Sequence, residues 1–425
     1  MLDPRLLAER RDEIAESCRK RGLSVDLDAT VAAYEQVTAR TTELNEANRL
    51  RNEHQKAGKK KLADDQREAH VLEGRRLKEK VGEIEAAHQK ASLEFETLLK
   101  QLPNFLHPEV PEGGEEDSRP LHAFGEPTRF DFEPSDHLAL GTALDLLDFE
   151  RAAVVSGQKF YFLKNEAVLL ELALQRFALD IVMEAGFTPY STPDLARPNI
   201  LDGIGFNPRG DETQVYSIAN ADLCLIGTAE ITLGGYYTDS ILEEAELPLR
   251  LVGLSHCFRT EAGTHGRESR GLYRVHQFSK VEMFAFTKPE DSEAMHAELL
   301  GLEENIFQAL EIPYRVVDIA SGDLGAPASR KFDLEAWMPG RGDGGDWGEI
   351  TSASNCTDYQ ARRLKIRFRR NATKKLEMVH TLNGTAISLA RAILTMLETH
   401  QRADGSIGIP PALQPYMGRE AIGPR

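Results

Sequence analysis

The chain has 425 residues, 41% of them hydrophobic, and a formal net charge of −17. This length allows two domains of ordinary size and this composition allows a buried core, which excludes a globally disordered protein. No run approaches the roughly 18 consecutive apolar residues that a membrane-spanning helix needs. The charged start, residues 1–21, fits neither a secretory signal nor an organellar transit peptide, so we predict a cytoplasmic protein without a membrane partner.

Residues 27 to about 100 predict two long helices joined by a short turn near Gly58, because this segment contains no Pro and few Gly. In its second half, a coiled-coil pattern with alternating steps of four and three runs through Leu77, Val81, Ile84, His88, Ala91, Phe95, Leu98 and Leu102. In its first half, the same pattern runs through Leu27, Val31, Tyr34, Thr38 and Thr41 and turns polar at Asn45 and Asn48. Two such helices form an antiparallel hairpin.

Positive charge is concentrated around the tip of this hairpin. Residues 1–100 hold 20 basic and 20 acidic side chains, a net of 0, so the charge of −17 falls on the remainder of the chain. Residues 49–80 hold 11 basic and 6 acidic side chains, a net of +5. A basic tip of this kind is either solvated surface or an arm that grips a phosphate backbone.

The composition changes after the hairpin. Residues 106–130 are rich in Pro and Gly and include an acidic run at 115–117, which predicts a linker. We therefore predict a helical N-terminal domain over 1–105 and a second domain over 131–425.

Helix and strand patterns alternate in the second domain. Residues 168–184 predict an amphipathic helix that ends at Gly186. Runs of strands with few intervening helices predict an α+β fold with an antiparallel sheet. The strand-like runs are 250–254, 275–286 and 314–319.

Several kinds of site can be set aside. The four cysteines do not have metal-ligand spacing, and four in a chain of this length do not make a disulfide framework, so we expect reduced thiols. Neither a P-loop nor a dinucleotide-binding glycine fingerprint is present. A nucleotide would have to be held in another way.

The densest polar stretch is 258–278, in which a Gly-rich and Arg-rich loop joins two strand-like runs. Arg259 on a sheet can bind a phosphate with two hydrogen bonds, and Phe278 can stack on a base. Glu261 is predicted on the same strand face as Arg259, where it would hold that Arg or accept from an exocyclic amine. Each residue alone could be an ordinary surface charge, but their joint spacing favours a nucleotide site.

Three further clusters carry polar groups. Arg391 lies on a predicted helix that follows Asn383-Gly384-Thr385, and a buried Arg needs an anion, either a ligand or a local Glu. Carboxylates and hydroxyls recur in Thr228-Ala229-Glu230, at Glu282 and in 349–355. Gathered at an ATP site, such groups can bind Mg²⁺, which prefers oxygen ligands.

Together these stretches resemble the class II aminoacyl-tRNA synthetases. Phe258-Arg259-x-Glu261 with Arg274-x-x-x-Phe278 resembles motif 2 of that class, and Asn383-Gly384-Thr385 with Arg391 resembles motif 3. Residues 168–193 resemble motif 1, the usual dimer element. Within the class, the resemblance is to the seryl-tRNA synthetases, including their tRNA-binding arm, and it is carried by 228–230, 271–282, 354–363 and the hairpin. The resemblance covers essentially the whole chain.

The resemblance implies a catalytic domain with an antiparallel β-sheet and flanking helices, preceded by an antiparallel two-helix coiled-coil arm, in a homodimer. It implies that the protein uses ATP and Mg²⁺ to convert L-serine to seryl-adenylate. The seryl group would then pass to the 3′-terminal adenosine of the serine tRNA, which the arm would hold. The selenocysteine tRNA stays open as a second substrate.

The resemblance also implies roles for individual residues. Arg259 and Arg391 would be catalytic and hold the α- and γ-phosphates of a bent ATP, while Glu349 and Ser352 would bind Mg²⁺. The remainder of the ATP site would be Thr260, Glu261, Val275, His276, Gln277, Phe278, Ile350 and Thr351, with Phe278 stacked on adenine. The serine pocket would be Thr228, Ala229, Glu230, Arg259, Glu282, Asn383 and Thr385. The chain departs from the family's frequent Pro at Gly227 and from its frequent Ser at Thr385, which indicates a subgroup.

Three alternatives remain to be weighed: a non-catalytic relative, a ligase that loads an amino acid onto a carrier protein, and a coiled-coil interaction protein with an inert body. Non-catalytic relatives usually lose residues of motif 2 or motif 3, and this chain retains Arg259, Glu261, Phe278, Glu282 and Arg391. Carrier-protein ligases typically lack the long arm. The density of paired Arg and Glu argues against an inert body.

Overall fold

The computed structural model describes residues 1–59, 64–206, 214–261 and 271–424, with only the backbone for residues 64 and 65. The chain divides into two compact units, Met1–Phe105 and Leu106–Arg425. The predicted Gly-rich and Arg-rich loop, at 262–270, and part of the predicted hairpin turn, at 60–63, lie outside the described residues.

The first unit is a long helical hairpin preceded by two short helices. Asp26 caps the first long helix by accepting a hydrogen bond from the backbone N–H of Ala29 at 2.8 Å, which satisfies a donor that the helix itself leaves free. The rings of Tyr34 and Phe95 lie 5.3 Å apart and those of His54 and His70 stack at 3.8 Å, so the two long helices are antiparallel. This confirms the predicted hairpin, which we call the arm. The helices are α1 (Leu6–Glu9), α2 (Arg11–Lys20), α3 (Leu27–Ala57) and α4 (Asp64–Leu99).

The buried seam of α3 differs from the predicted one. Thr38 and Asn45 are exposed, whereas Ala33 and Ala47 are buried. The Thr38 hydroxyl donates to the carbonyl of Tyr34 within its own helix. Other predicted positions do face α4: Tyr34 packs against Phe95, and the Thr41 hydroxyl lies 2.9 Å from Nε2 of His88. The predicted seam is therefore confirmed at Tyr34 and Thr41 and wrong at Thr38 and Asn45.

The second unit is an α+β domain. Its strands in chain order are β1 (Arg119–Phe124), β2 (Leu147–Asp148), β3 (Phe162–Leu163), β4 (Thr188–Ser191), β5 (Leu195–Ala196), β6 (Cys224–Leu225), β7 (Ile241–Glu243), β8 (Leu249–Phe258), β9 (Gln277–Thr287), β10 (Tyr314–Asp318), β11 (Arg330–Met338), β12 (Asp346–Asn355), β13 (Arg367–Arg369), β14 (Leu376–Met378), β15 (His380–Ser388), β16 (Ile407–Gly408) and β17 (Ala421–Ile422). Its helices are α5 (His137–Ala143), α6 (Phe149–Val155), α7 (Glu166–Glu184), α8 (Pro198–Ile204), α9 (Glu230–Gly235), α10 (Ser292–Ala309), α11 (Tyr359–Leu364), α12 (Leu389–Thr399) and α13 (Gln414–Met417).

Eight strands form the main sheet, in the order β1-β10-β11-β12-β15-β9-β8-β4. All neighbouring pairs are antiparallel except β4 and β8, which are parallel. This confirms the predicted antiparallel α+β sheet, and the predicted helix and strand runs correspond to α7, β8, β9 and β10. Helices α7, α10 and α12 bury apolar side chains against the central strands; examples are Leu170, Leu299 and Ile393.

Residues 106–130, which the composition predicts as a linker, contribute to the second unit. Strand β1 pairs with β10 at the edge of the main sheet, and its register shifts next to Pro120. Leu106 and Val110 pack against a small cluster that includes Val317. Pro lacks a backbone donor and is tolerated in edge strands and at bulges, so a Pro-rich composition does not exclude a strand here.

All four cysteines, Cys18, Cys224, Cys257 and Cys356, are buried, and none is in a disulfide bond. Burial raises the pKa of the Cys257 thiol, which lowers its reactivity. No helix in the described part of the chain combines the length and the apolar character needed to cross a bilayer.

Candidate functional site

A cavity of about 430 Å³ opens over the middle of the main sheet. Its walls come from β9, β11, β12 and β15, from α12, and from the segments at both ends of the motif 2 stretch. Most of the residues that the sequence predicts for the site line this cavity: Thr228, Glu230, Arg259, Glu261, Val275, Phe278, Glu282, Glu349, Ile350, Thr351, Ser352, Asn383, Thr385 and Arg391.

Four predicted residues do not line the cavity: Ala229, Thr260, His276 and Gln277. Ala229 is fully buried and Gln277 is exposed. The His276 ring donates through Nδ1 to the carbonyl of Arg259 at 2.9 Å, and the backbone N–H of Arg259 donates to the carbonyl of His276 at 3.0 Å. In this structure His276 therefore fixes the backbone that carries Arg259.

Arg259 lies at the mouth of the cavity. Its Nε donates to the carbonyl oxygen of Gly227 at 3.2 Å, and its guanidinium lies over the Phe278 ring at 5.5 Å from the centroid. These contacts orient the guanidinium and leave further N–H groups on it that can bind an anion.

Glu261 does not lie on a strand face with Arg259, so that prediction is wrong. Strand β8 ends at Phe258, and Glu261 has a left-handed backbone with φ of 48°. Its carboxylate accepts a hydrogen bond from Arg274 at 3.2 Å. The alternation of strand side chains cannot be extended past the end of the strand, which the sequence did not reveal.

Arg391 projects from the first turn of α12 and pairs with a carboxylate. Its NH1 lies 3.0 Å from Oε1 of Glu349, and its guanidinium lies over the Tyr273 ring at 4.7 Å. The sequence predicted either a bound anion or a nearby Glu as the partner of Arg391, and in the described structure Glu349 is that partner. Loss of hydration opposes ionisation of Glu349, but Arg391, followed by Lys331 and Arg259, lowers the pKa of this carboxyl to about 2.

The floor of the cavity contains two carboxyl groups, Glu230 and Glu282, that interact through their charges. Glu230 accepts hydrogen bonds from Gln360 at 2.8 Å and from Asn383 at 2.9 Å. Loss of hydration, reinforced by the charge of Glu282, raises the pKa of Glu230 to about 7. Glu282 accepts a hydrogen bond from the Thr385 hydroxyl at 3.1 Å and lies 2.5 Å from Nζ of Lys280. The pair offers acceptors at two nearby points for a small molecule that carries an ammonium and a hydroxyl group.

Sequence reasoning assigned no role to several residues that line the cavity: Phe206, Leu272, Tyr273, Arg274, Lys280, Gly325, Lys331, Ser388 and Ala390. Lys280 could have been found, since it lies two residues before Glu282 and so on the same strand face. Phe206, Gly325 and Lys331 come from distant segments. The pairing of β11 with β12 brings Lys331 to the cavity, and the other two lie in loops that only tertiary packing places there.

Metal-binding geometry is limited in the described residues. They contain no group of three or more His, Cys, Asp or Glu side chains that could hold a metal ion. The pKa of Glu349 is lowered by Arg391, its side chain is 42% exposed, and Ser352 lines the same wall. This donor set fits a cation such as Mg²⁺ that takes most of its ligands from phosphates and water.

Two known protein families match the chain, one in the first unit and one in the second. Residues 1–106 match the "Seryl-tRNA synthetase N-terminal domain", and residues 215–400 match the "tRNA synthetase class II core domain (G, H, P, S and T)".

Individual relatives match over the whole length. A serine–tRNA ligase from Rhodopirellula baltica is 53% identical over 423 residues, which is 99% of each chain. One from Treponema denticola is 51% identical over 424 residues, which is 100% of each chain.

Two solved structures also match. The crystal structure of seryl-tRNA synthetase from Pyrococcus horikoshii complexed with ATP is 39% identical, with a TM-score of 0.89 and full coverage of both chains. The cytoplasmic serine–tRNA ligase from Naegleria fowleri in complex with AMP is 31% identical, with a TM-score of 0.86 over 100% of this chain and 99% of the other. Sequence and fold thus agree over both units, and the chain belongs to the seryl-tRNA synthetase family of class II aminoacyl-tRNA synthetases.

Proposed function

We propose that the cavity activates L-serine with ATP and transfers it to the 3′-terminal adenosine of the serine tRNA. One observation carries this proposal: Arg259 and Arg391 enter a single cavity whose floor contains the Glu230 and Glu282 carboxyl groups. The two guanidinium groups suit a polyphosphate, and the floor suits the amino and hydroxyl groups of serine.

In the proposed arrangement, Arg259 holds the α-phosphate of ATP and Arg391 holds the γ-phosphate. Phe278 stacks on adenine, since its ring lies at the cavity wall beside Arg259. Glu230 accepts from the ammonium of serine, while Glu282, Thr385, Asn383 and Thr228 surround its hydroxyl. Arg391 would exchange Glu349 for the phosphate when ATP binds.

Glu349 and Ser352 would hold Mg²⁺ in this arrangement. The low pKa of Glu349 keeps this carboxylate ionised, and both residues lie on β12 at the cavity wall. The ion would neutralise charge on the phosphates and help to orient them. Arg259 and Arg391 would supply further positive charge to the phosphates.

The proposed chemistry needs positioning more than proton transfer. A carboxylate oxygen of serine attacks the α-phosphorus in line, a P–O bond forms, and the bond to the bridging oxygen breaks as pyrophosphate leaves with its electron pair. The attacking carboxylate is already ionised, so no general base is required. Arg259 and Arg391 would orient the phosphates and stabilise the charge that develops on them.

Selection of serine would rest on the polar floor. A site that hydrogen-bonds the serine hydroxyl beside Glu282 and Thr385 would discriminate against alanine, which lacks this hydroxyl, by roughly 10⁴-fold. Threonine adds one methyl group and has to be excluded by shape, which is a weaker filter.

The arm would hold the tRNA. Its described basic side chains near the tip include Arg49, Arg51 and Lys56 on α3 and Arg75, Arg76 and Lys78 on α4. Such side chains bind phosphates through charge and independently of base sequence, which suits the backbone of a tRNA.

We also propose that the protein is located in the cytoplasm, because ATP and tRNA are both abundant there.

We also propose a homodimer that forms through the α6–α7 region. Apolar side chains are exposed there in the single chain: Val154 is 79% exposed, Val155 70% and Leu172 57%. A partner subunit seated on this region would remove these side chains from water, which favours association. Light scattering should give twice the mass of one chain, and the mass of a single chain would contradict the dimer.

The decisive experiment is amino-acid-dependent exchange of pyrophosphate into ATP, with serine, threonine, alanine and glycine compared side by side. Serine should support exchange far above the other three amino acids. Absence of exchange with all four would overturn the proposed activity and favour a non-catalytic relative.

A further inference from the structure

Lys331 is a cation of the cavity wall for which the sequence predicted no role. It lies on β11, directly opposite Ser354 of β12, and Asp333 lies directly opposite Ser352. Side chains at directly opposite positions of an antiparallel pair share a face, and positions two apart on one strand share it as well. The Lys331 ammonium therefore lies on the same side of the sheet as Ser352, and it lines the cavity.

Acidic neighbours hold Lys331 in place and keep it charged. Its Nζ lies 3.1 Å from Oδ2 of Asp333 and 3.8 Å from Oδ2 of Asp323. The Asp333 side chain is only 6% exposed, so this anchor is nearly dry, whereas the Lys331 side chain retains 19% exposure. Burial opposes the charge, but Asp333, Glu349 and Asp323 raise the pKa of Lys331 above its usual range.

An ammonium group has three N–H donors in a tetrahedral arrangement. Asp333 occupies one of them at hydrogen-bond distance. The remaining donors and the residual exposure leave Lys331 able to bind an anion in the cavity without giving up its anchor.

The order of the strands indicates which anion this would be. Phe278 and Glu282 lie on β9, Asn383 and Thr385 on β15, Glu349 and Ser352 on β12, and Lys331 on β11. These strands are neighbours in the order β11-β12-β15-β9. With about 4.8 Å between strands, β11 lies about 14 Å from β9, the strand proposed for adenine and serine. Glu349 and Ser352 on β12 thus lie between Lys331 and the positions proposed for adenine and serine.

We propose that Lys331 binds the β- and γ-phosphates of ATP, together with Arg391, and stabilises the pyrophosphate that leaves. This inference rests on the proposed function, which puts the phosphates beside Glu349 and Arg391. Asp333 is the positioning residue that fixes the Lys331 side chain. The pyrophosphate carries more negative charge after the bond breaks than before it, so a fixed ammonium favours its departure.

The test compares the affinities for ATP and AMP, measured by calorimetric titration of the full chain in the presence of Mg²⁺ and without serine. Lys331→Met should weaken ATP binding about tenfold, since it removes a charge-assisted hydrogen bond, and should leave AMP binding within about twofold. Lys331→Arg, which keeps the charge, should retain ATP affinity within about threefold.

Lys365→Met is the matched control, because Lys365 pairs with Asp239 at 3.6 Å on the surface, with 71% and 67% of the two side chains exposed. It should change neither affinity. Equal losses of ATP and AMP affinity in Lys331→Met would indicate a structural role and overturn the proposal, and so would unchanged affinity for both. If the wild-type chain bound no ATP, the proposed function would fail and this inference with it.

Discussion

The arm and the second unit, which contains the cavity and which we call the catalytic unit, contain the same charged residue types but expose them to different degrees. In the arm, Arg40–Glu43 and Arg49–Glu46 join residues three apart on one helix, and about half of each side chain is exposed. In the catalytic unit, the Lys280–Glu282 pair is only 7% and 2% exposed. Exposed pairs contribute little to stability, whereas removing one partner of a buried pair costs about 3–5 kcal/mol.

This difference separates two kinds of function. The proposed phosphate binding by the arm would depend on the sum of many replaceable charges. A cavity lined by buried charges depends on single groups held at fixed positions, because each charge there acts strongly on its neighbours. Single substitutions on the arm should therefore each lower tRNA binding only a little. Single substitutions in the cavity should each lower catalytic activity strongly.

Deletion of the arm gives the largest effect and tests whether the two units are separable. When a short Gly-Ser linker replaces residues 30–98, serine-dependent pyrophosphate exchange should persist. Charging of the serine tRNA should fall by about 10³-fold or more, because the phosphate contacts proposed for the arm would be lost. Charging assays with the full-length chain as reference measure both. Normal charging by the shortened chain would remove the arm from tRNA recognition.

Arg259→Ala should break the catalytic unit with one side chain. Loss of a preorganised donor at the reacting phosphate should lower the rate of pyrophosphate exchange by about 10²–10³-fold. The thermal unfolding midpoint should stay unchanged, because Arg259 is partly exposed and not in the apolar core. Arg49→Ala on the arm is the control and should leave exchange intact. Exchange at the wild-type rate in Arg259→Ala would contradict the assigned role.

The pH dependence of serine use should report Glu230. Its raised pKa of about 7 means that the carboxyl is protonated below that pH and cannot attract the serine ammonium. The value of kcat/KM for serine should therefore fall about tenfold per pH unit below about pH 7. Glu230→Gln should be less active at neutral pH and lack this slope. A flat wild-type profile between pH 5 and 7 would exclude Glu230 from ammonium binding.

A smaller effect concerns stability and Glu303. This residue is fully buried, and the loss of hydration raises its pKa well above the usual value, although the Thr351 hydroxyl donates to it at 2.8 Å. An unfolded Glu titrates near about 4.3, so above that pH the folded state binds the extra proton. The free energy of unfolding should fall as pH rises toward the folded pKa, by up to about 1.4 kcal/mol per pH unit from this group.

Urea unfolding at several pH values measures this contribution. Glu303→Gln keeps the shape and a hydrogen-bond acceptor for Thr351 but cannot ionise, so its stability should depend less on pH than that of the wild-type chain. Parallel pH dependences of the two proteins would show that Glu303 does not contribute.

Sequence periodicity and local spacing account for what could be predicted. The arm carries a 3.5-residue repeat and helix α7 carries an amphipathic pattern, and both are visible within single segments. The strands β8, β9 and β10 were predicted as strand-like runs, which is again a local property of the sequence. The residues around Arg259 and Arg391 belong to long motifs, so their proximity in one cavity followed from the resemblance.

What could not be predicted depends on contacts between distant segments or on local backbone geometry. Lys331 reaches the cavity only because β11 pairs with β12, and Glu303 meets Thr351 only because α10 packs on that strand. Strand β8 ends at Phe258 and Glu261 has a left-handed backbone, although the sequence pattern predicts that the strand continues. Strand β1 was hidden by Pro and Gly, which usually mark loops.

The burial of all four native cysteines has a practical consequence for following the arm in solution. A substitution such as Gln36→Cys, at an exposed position of α3, would create the one surface thiol of the chain. A maleimide dye should label that site selectively in the native protein, with no need to remove the original sulfhydryls first. Fluorescence anisotropy of the dye would then report how freely the arm tumbles before and after tRNA is added.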